Sequence, residues 1–241
     1  MNKDIRESLE LVKKISYAVN DISVRDILVC PPYTSLSAVH ELVKDTNIKL
    51  GAQNLFWEES GAYTGEISAS MLKSAGCEYV IIGHSERRQY FGETEETVNK
   101  RVKKALESGL KPIICVGETL QEREGSITEK VVDKQIRGAF EGLSEADCDT
   151  IIVAYEPVWA IGTGKTATPD DANNVHKFIR NLLKELYNEN VAEKMVILYG
   201  GSVKPDNAAE LFAMEDIDGG LVGGASLKSD DFIALIKAGI E

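Results

Sequence analysis

No run of apolar residues in this chain approaches the roughly 18 that a membrane-spanning helix requires, and none near Met1 has the pattern of a signal peptide. Basic residues are in short supply. Lys and Arg number 27 against 39 Asp and Glu, a net charge of −12, and the cations are scattered rather than grouped. That balance argues against nucleic acid or an anionic membrane as a partner. Cysteine is sparse: Cys30, Cys77, Cys115 and Cys148 form no C-x-x-C pair, so a disulfide framework is not expected and the reading is reduced thiols in a cytoplasmic protein. A Walker loop, a dinucleotide fingerprint and clustered metal ligands are also missing, which predicts no nucleotide, nicotinamide or metal, and no cofactor of any kind.

What the sequence does contain is alternation. Short β-branched or aliphatic runs recur at ILVC (27), IKLG (48), YVII (79), PIIC (112), TIIVAY (150), MVIL (195) and GGLV (219). Amphipathic stretches with apolar residues three to four apart separate them, predicting helices near 4–19, 35–44, 68–75, 95–108, 126–141, 170–188, 205–213 and 230–238. Continuous apolar strands separated by helices imply parallel βαβ crossovers. The 241 residues lie close to the roughly 250 typical of one α/β barrel, so a single domain over 1–241 is expected. Two architectures fit. One is a (β/α)₈ barrel lacking its first β-strand, because the chain opens on a helix. The other is an open doubly wound sheet, although that fold usually puts a glycine-rich phosphate loop after its first strand and here ILVC leads into PPYTS.

In a barrel, chemistry sits at the C-terminal ends of the strands. Glu156 ends TIIVAY, and Pro157 after it biases the carboxylate's backbone toward extended geometry. The stiff segments Pro157-Val158-Trp159 and Lys165-Thr166-Ala167 bracket a small-residue tip containing Gly162, which reads as a lid. Thr168-Pro169-Asp170-Asp171 then starts a helix with Thr168 as its cap. Of three histidines, His40 and His176 fall inside helical patterns beside charged neighbours and read as surface or boundary residues. His84 instead follows YVIIG at a strand end, where Ser85 can cap a short helix whose N-terminus would keep the imidazole neutral near pH 7. YGGSV at 199 and LVGGAS at 221 follow the last two strands, where barrel enzymes commonly build a phosphate site, so a small phosphate ester is the implied ligand. QNLFWEESGAYTGE, residues 53–66, is too irregular for a helix or strand, and its Phe56, Trp57 and Tyr63 suggest a partner surface.

AYEPVWAIGTGKTA at 154, with GAQN at 51, GHSERR at 83, CVGE at 115, YGGSV at 199 and LVGGASL at 221, closely resembles the triose-phosphate isomerase family, in the family's order and over essentially the whole chain. The resemblance implies a TIM barrel that interconverts dihydroxyacetone phosphate and D-glyceraldehyde 3-phosphate in glycolysis and gluconeogenesis. It implies Glu156 as the base, His84 as the neutral electrophile, and Gly162, Ser202, Gly223 and Gly224 as substrate-binding residues at the phosphate. It also implies a homodimer through the loop around Phe56–Glu66. The family's first strand ends in Asn-Trp-Lys before a Met-Asn that corresponds to Met1-Asn2, so its asparagine and lysine have no counterpart here. The expectation is a polypeptide that starts further upstream; the alternative is a shortened, catalytically impaired barrel acting as a binding or assembly protein. A sugar-phosphate epimerase is the distant third reading, since it would need metal ligands at strand ends.

Overall fold

The computed structural model describes residues 1–160 and 166–239. Its seven strands are β1 (Ile27–Val29), β2 (Ile48–Ala52), β3 (Tyr79–Ile82), β4 (Lys111–Val116), β5 (Ile152–Tyr155), β6 (Val196–Tyr199) and β7 (Gly219–Gly220). All pair in parallel, each with the next, in the order β1 to β7. A doubly wound sheet reverses its strand order at a switch point, so the consecutive order removes that alternative and leaves a barrel sheet. Among the described residues β1 and β7 do not pair with each other.

Eleven α-helices accompany the strands among the described residues: α1 (Ile5–Val19), α2 (Leu36–Val43), α3 (Ala69–Ser74), α4 (Ser85–Phe91), α5 (Glu95–Glu107), α6 (Leu120–Glu124), α7 (Thr128–Phe140), α8 (Pro169–Leu186), α9 (Glu189–Lys194), α10 (Ala208–Phe212) and α11 (Ser229–Lys237). The eight helices expected from periodicity are all there. Three more, α4, α6 and α9, have five to seven residues each, too few to show an apolar stripe of their own. Caps set several starts. Asp4 and Glu7 form a reciprocal capping box before α1, and Thr168 accepts the Asp171 N–H at 3.1 Å before α8, whose first residue is Pro169.

Alternation along the strands sorts the two cores. Ile81, Ile113, Cys115 and Ala154 cluster with Leu28, Cys30, Tyr79, Ile152, Leu198 and Leu221 inside the sheet's curl. Their neighbours Val80, Ile82, Ile114, Val116, Val153 and Tyr155 join the larger core with helix residues such as Val98, Ile136 and Ile179. His176 belongs to that second core. It is fully buried, where the sequence reading placed it at the surface or boundary. Its ring lies edge-on to Tyr155 at 5.7 Å, and Nδ1 is 2.8 Å from the Ala172 carbonyl.

Candidate active site

The alternation that sends Ile152 and Ala154 inward carries one step past β5 to Glu156, whose side chain therefore enters the barrel mouth. The residue is 2% exposed. Its N–H donates to the Val116 carbonyl at 2.7 Å, continuing the β4–β5 pairing beyond the last ladder residues. On the other side the Gly200 N–H donates to the Tyr155 carbonyl at 2.7 Å.

His84 would face away from the mouth if β3 simply continued. Gly83, at φ +74°, breaks the alternation in a region that only glycine enters freely, and it turns the chain so that His84 becomes the N-cap of α4. The expectation that Ser85 caps this helix is therefore corrected by one residue. The His84 imidazole does the capping, its Nδ1 accepting the Glu86 N–H at 3.3 Å. Nδ1 as acceptor assigns the ring proton to Nε2, which lies 2.9 Å from Glu156 Oε1. The Ser85 N–H donates to Glu156 Oε2 at 3.0 Å. Two residues 72 apart in sequence thus meet directly.

Electrostatics follow from that contact. Burial draws the His84 pKa down, but the hydrogen bond and charge of Glu156, with Glu86 and Glu93 behind them, outweigh it and leave His84 raised above its ordinary value. The helix-terminus argument for a lowered value does not hold while the carboxylate sits on the imidazole. Hydrogen bonds to charged groups contribute about 1.5–3 kcal/mol each, while desolvating a carboxylate costs several. The two donors, His84 Nε2–H and the Ser85 N–H, offset the burial of Glu156. Cys115, fully buried on β4, has its thiol pushed well up by burial and by the adjacent Glu156 charge.

The predicted phosphate residues sit on the turns after the next two strands. Ser202 follows β6, two residues beyond Gly200, and its carbonyl accepts from Asn207 Nδ2 at 3.1 Å. Gly223 and Gly224 follow β7 and are exposed; a methyl at either would meet nothing within 4 Å. Because every strand is parallel, these turns share one rim with Glu156 and His84. Gly162 lies outside the described residues.

Glu118 was not singled out from the sequence. It is fully buried, accepts from Tyr155 Oη at 3.1 and 3.2 Å and from Trp159 Nε1 at 2.9 Å, and lies 3.7 Å from the Arg123 guanidinium. Arg123 in turn covers the Trp159 ring and pairs with Asp171 at 3.0 Å. Its place in the sequence, an acid two residues past a strand in CVGE and ahead of the Thr119 cap, marks it as near the rim but does not reveal these partners. In the 53–66 loop, the Phe56 ring packs at a tilt against Trp57 at 4.1 Å and Tyr63 at 4.8 Å, and Arg101 lies over Trp57 at 4.8 Å; Phe56 and Trp57 are half-buried and Tyr63 is exposed. Among the described residues no group of three or more His, Cys, Asp or Glu is placed to hold a metal ion, and no helix is long and apolar enough to cross a membrane.

The comparisons with known proteins fit this rim. Triosephosphate isomerases from Clostridium botulinum (strain Langeland) and Alkaliphilus oremlandii are 58% and 56% identical over 237 residues, covering 98% of this chain and 95% of each relative. The crystal structure of triosephosphate isomerase from Bartonella henselae superposes with a TM-score of 0.90 at 39% identity, covering 99% of this chain and 94% of that one. The family model described as triosephosphate isomerase matches residues 1–239, and with a carboxylate and an imidazole joined at the barrel mouth the chain belongs to the triosephosphate isomerase family.

Proposed function

We propose that the protein interconverts dihydroxyacetone phosphate and D-glyceraldehyde 3-phosphate, with Glu156 as the base and His84 as the electrophile. The observation that carries this reading is the 2.9 Å contact between His84 Nε2 and Glu156 Oε1 at the ends of two parallel strands. The Glu156 carboxylate removes a proton from C1 of the ketose and leaves an enediolate. His84 Nε2–H donates its proton to the oxygen on C2, Nε2 takes back the proton of the C1 hydroxyl, and the proton carried by Glu156 is returned to C2 as the C1 carbonyl forms, giving the aldose with both groups restored. Substrate between the two groups must break their direct contact, which removes the main force raising the His84 pKa and favours the neutral ring the step needs. A positioned base contributes on the order of 10²–10⁴ in rate and one well-aimed donor about 10²–10³, so the two supply most of the chemistry without a cofactor.

Backbone N–H groups around Ser202, Gly223, Gly224 and Gly162 are assigned to the phosphate, supported by the open space over Gly223 and Gly224. Shielding the enediolate from water, so that it does not lose phosphate, is assigned to the segment between Pro157 and Ala167. The remaining assignments are one domain, a cytoplasmic location, and a homodimer through the loop around Phe56–Glu66. We also propose that the sheet is one strand short of a closed eight-stranded barrel, the gap lying between β1 and β7. No observation favours a barrel retained only for binding or assembly.

Turnover of dihydroxyacetone phosphate in D₂O, followed by ¹H NMR, tests the mechanism. The proton held by Glu156 exchanges with solvent in part of the turnovers before its return, so carbon-bound deuterium at C2 of part of the aldose is expected. Isomerisation without solvent label would point to internal hydride transfer and sink the proton-transfer reading.

A further inference from the structure

Helix α7 turns a polar residue toward its packing face. Gln135 is 8% exposed and lies beside fully buried Ile136 and Val132. Its carboxamide grips one residue from both sides: Oε1 accepts the Gly117 N–H at 2.7 Å, and Nε2 donates to the Gly117 carbonyl at 3.2 Å. A reversed amide would set donor against donor and acceptor against acceptor, so the orientation is fixed by the contacts.

Gly117 is the residue against which Glu156 rests. Val116 and Glu118 accept backbone hydrogen bonds from Glu156 and Val158, at 2.7 and 3.1 Å. Between them Gly117 packs so tightly on the Glu156 backbone that a Cβ there would fall 2.6 Å from the Glu156 carbonyl carbon. The last ladder residues are Val116 and Tyr155, and beyond them backbone bonds from Glu156 and Val158 reach Val116 and Glu118 while the N–H and carbonyl of Gly117 itself go to Gln135. Gln135 holds it from the helix side.

We infer that Gln135 is a positioning residue for the isomerisation: by clamping Gly117 it fixes where the Glu156 carboxylate leaves β5. The inference rests on the reading of Glu156 as the base. Two substitutions test it. Gln135→Met keeps length and bulk but makes neither bond, and misplacement of a base by about 1 Å costs on the order of a hundredfold, so kcat should fall about tenfold to a hundredfold. KM and competitive inhibition by inorganic phosphate should stay within about twofold, because the phosphate turns are untouched. Gln135→Glu carries an internal control. The ionised side chain opposes the Gly117 carbonyl, whereas the protonated one restores both bonds, and burial raises its pKa. The ratio of variant to parent kcat should therefore rise at least about threefold between roughly pH 8.5 and pH 6.

A folded Gln135→Met protein with kcat within about threefold of the parent would overturn the inference, as would a flat ratio for Gln135→Glu. Loss of the fold in both variants, seen in thermal melts, would overturn it in favour of a purely architectural glutamine. Glu156→Gln run in parallel separates the two levels. If that variant keeps its activity, the base assignment fails; if it is silent while both Gln135 variants match the parent, only the clamp fails.

Discussion

Replacing Gly117 with alanine perturbs the site through a single methyl group. The new Cβ would lie 2.6 Å from the Glu156 carbonyl carbon and closer still to its oxygen, and carbon–carbon contacts settle near 3.5–4.0 Å. The two segments must therefore part by about 1 Å. Neither can yield freely. Gly117 is held by Gln135 through two hydrogen bonds, and Glu156 by its own N–H to Val116 and by the Gly200–Tyr155 bond. Overpacking of this kind costs about 1–3 kcal/mol in stability, which for a chain of this length lowers Tm by about 2–4 °C per kcal/mol. The larger effect should fall on chemistry, because a 1 Å displacement of the base lowers kcat about a hundredfold, or about 2.7 kcal/mol of transition-state stabilisation. A coupled isomerase assay gives kcat and KM directly, with thermal melts as the control for folding. A folded Gly117→Ala protein with kcat within about threefold of the parent would refute the claim that this contact sets the carboxylate.

Other consequences are open to measurement. The His84 pKa, raised chiefly by Glu156 against the pull of burial, should drop in Glu156→Gln, read by NMR titration of the ring; an unchanged value would mean the 2.9 Å contact does not form in solution. Because that folded-state pKa is raised, the stabilisation it brings is present in full below about pH 6.5 and is lost as pH rises through the folded value. His176 has the opposite sign. Burial lowers its pKa against the pull of the Ala172 and Leu198 carbonyls, so its contribution is intact above about pH 6.5 and falls by about 1.4 kcal/mol per pH unit below it. Urea melts should show a shallower acid-side loss in His176→Gln than in the parent; equal slopes would contradict the burial argument. Thr168→Ala should cost about 1 kcal/mol and leave the His84–Glu156 contact in place, since the hydroxyl's hydrogen bonds are to Asp171.

The sequence read well where one local rule governed the structure. Strand positions emerged because both faces of each strand are apolar, and Glu156 emerged from its place at a strand end with Pro157 behind it; the parity of Ile152 and Ala154 is what aims it inward. His84 was identified by its place after a strand, but its exact geometry was not legible. The φ of Gly83 decides which way the imidazole turns, and a Gly-His pair in sequence does not announce φ +74°. His176 was misjudged from its charged neighbours, although Ala172, Val175, Ile179 and Leu183 place it on the buried stripe of α8. Gln135 and Glu118 were silent for a different reason. Their partners lie 18 and 37–41 residues away, and a polar residue's long-range hydrogen bonds leave no periodic trace.

The central claim is that the Glu156 carboxylate moves the proton, and one substitution tests it most directly. Glu156→Gln keeps the side chain's length, leaves an oxygen to accept the Ser85 N–H, and removes the basic group. Measured in the coupled assay on a folded protein, it should lower kcat by at least about a thousandfold while inorganic phosphate still competes at near-parent affinity. A kcat within about tenfold of the parent would show that another group does the chemistry, and that the carboxylate at the barrel mouth serves only to hold His84.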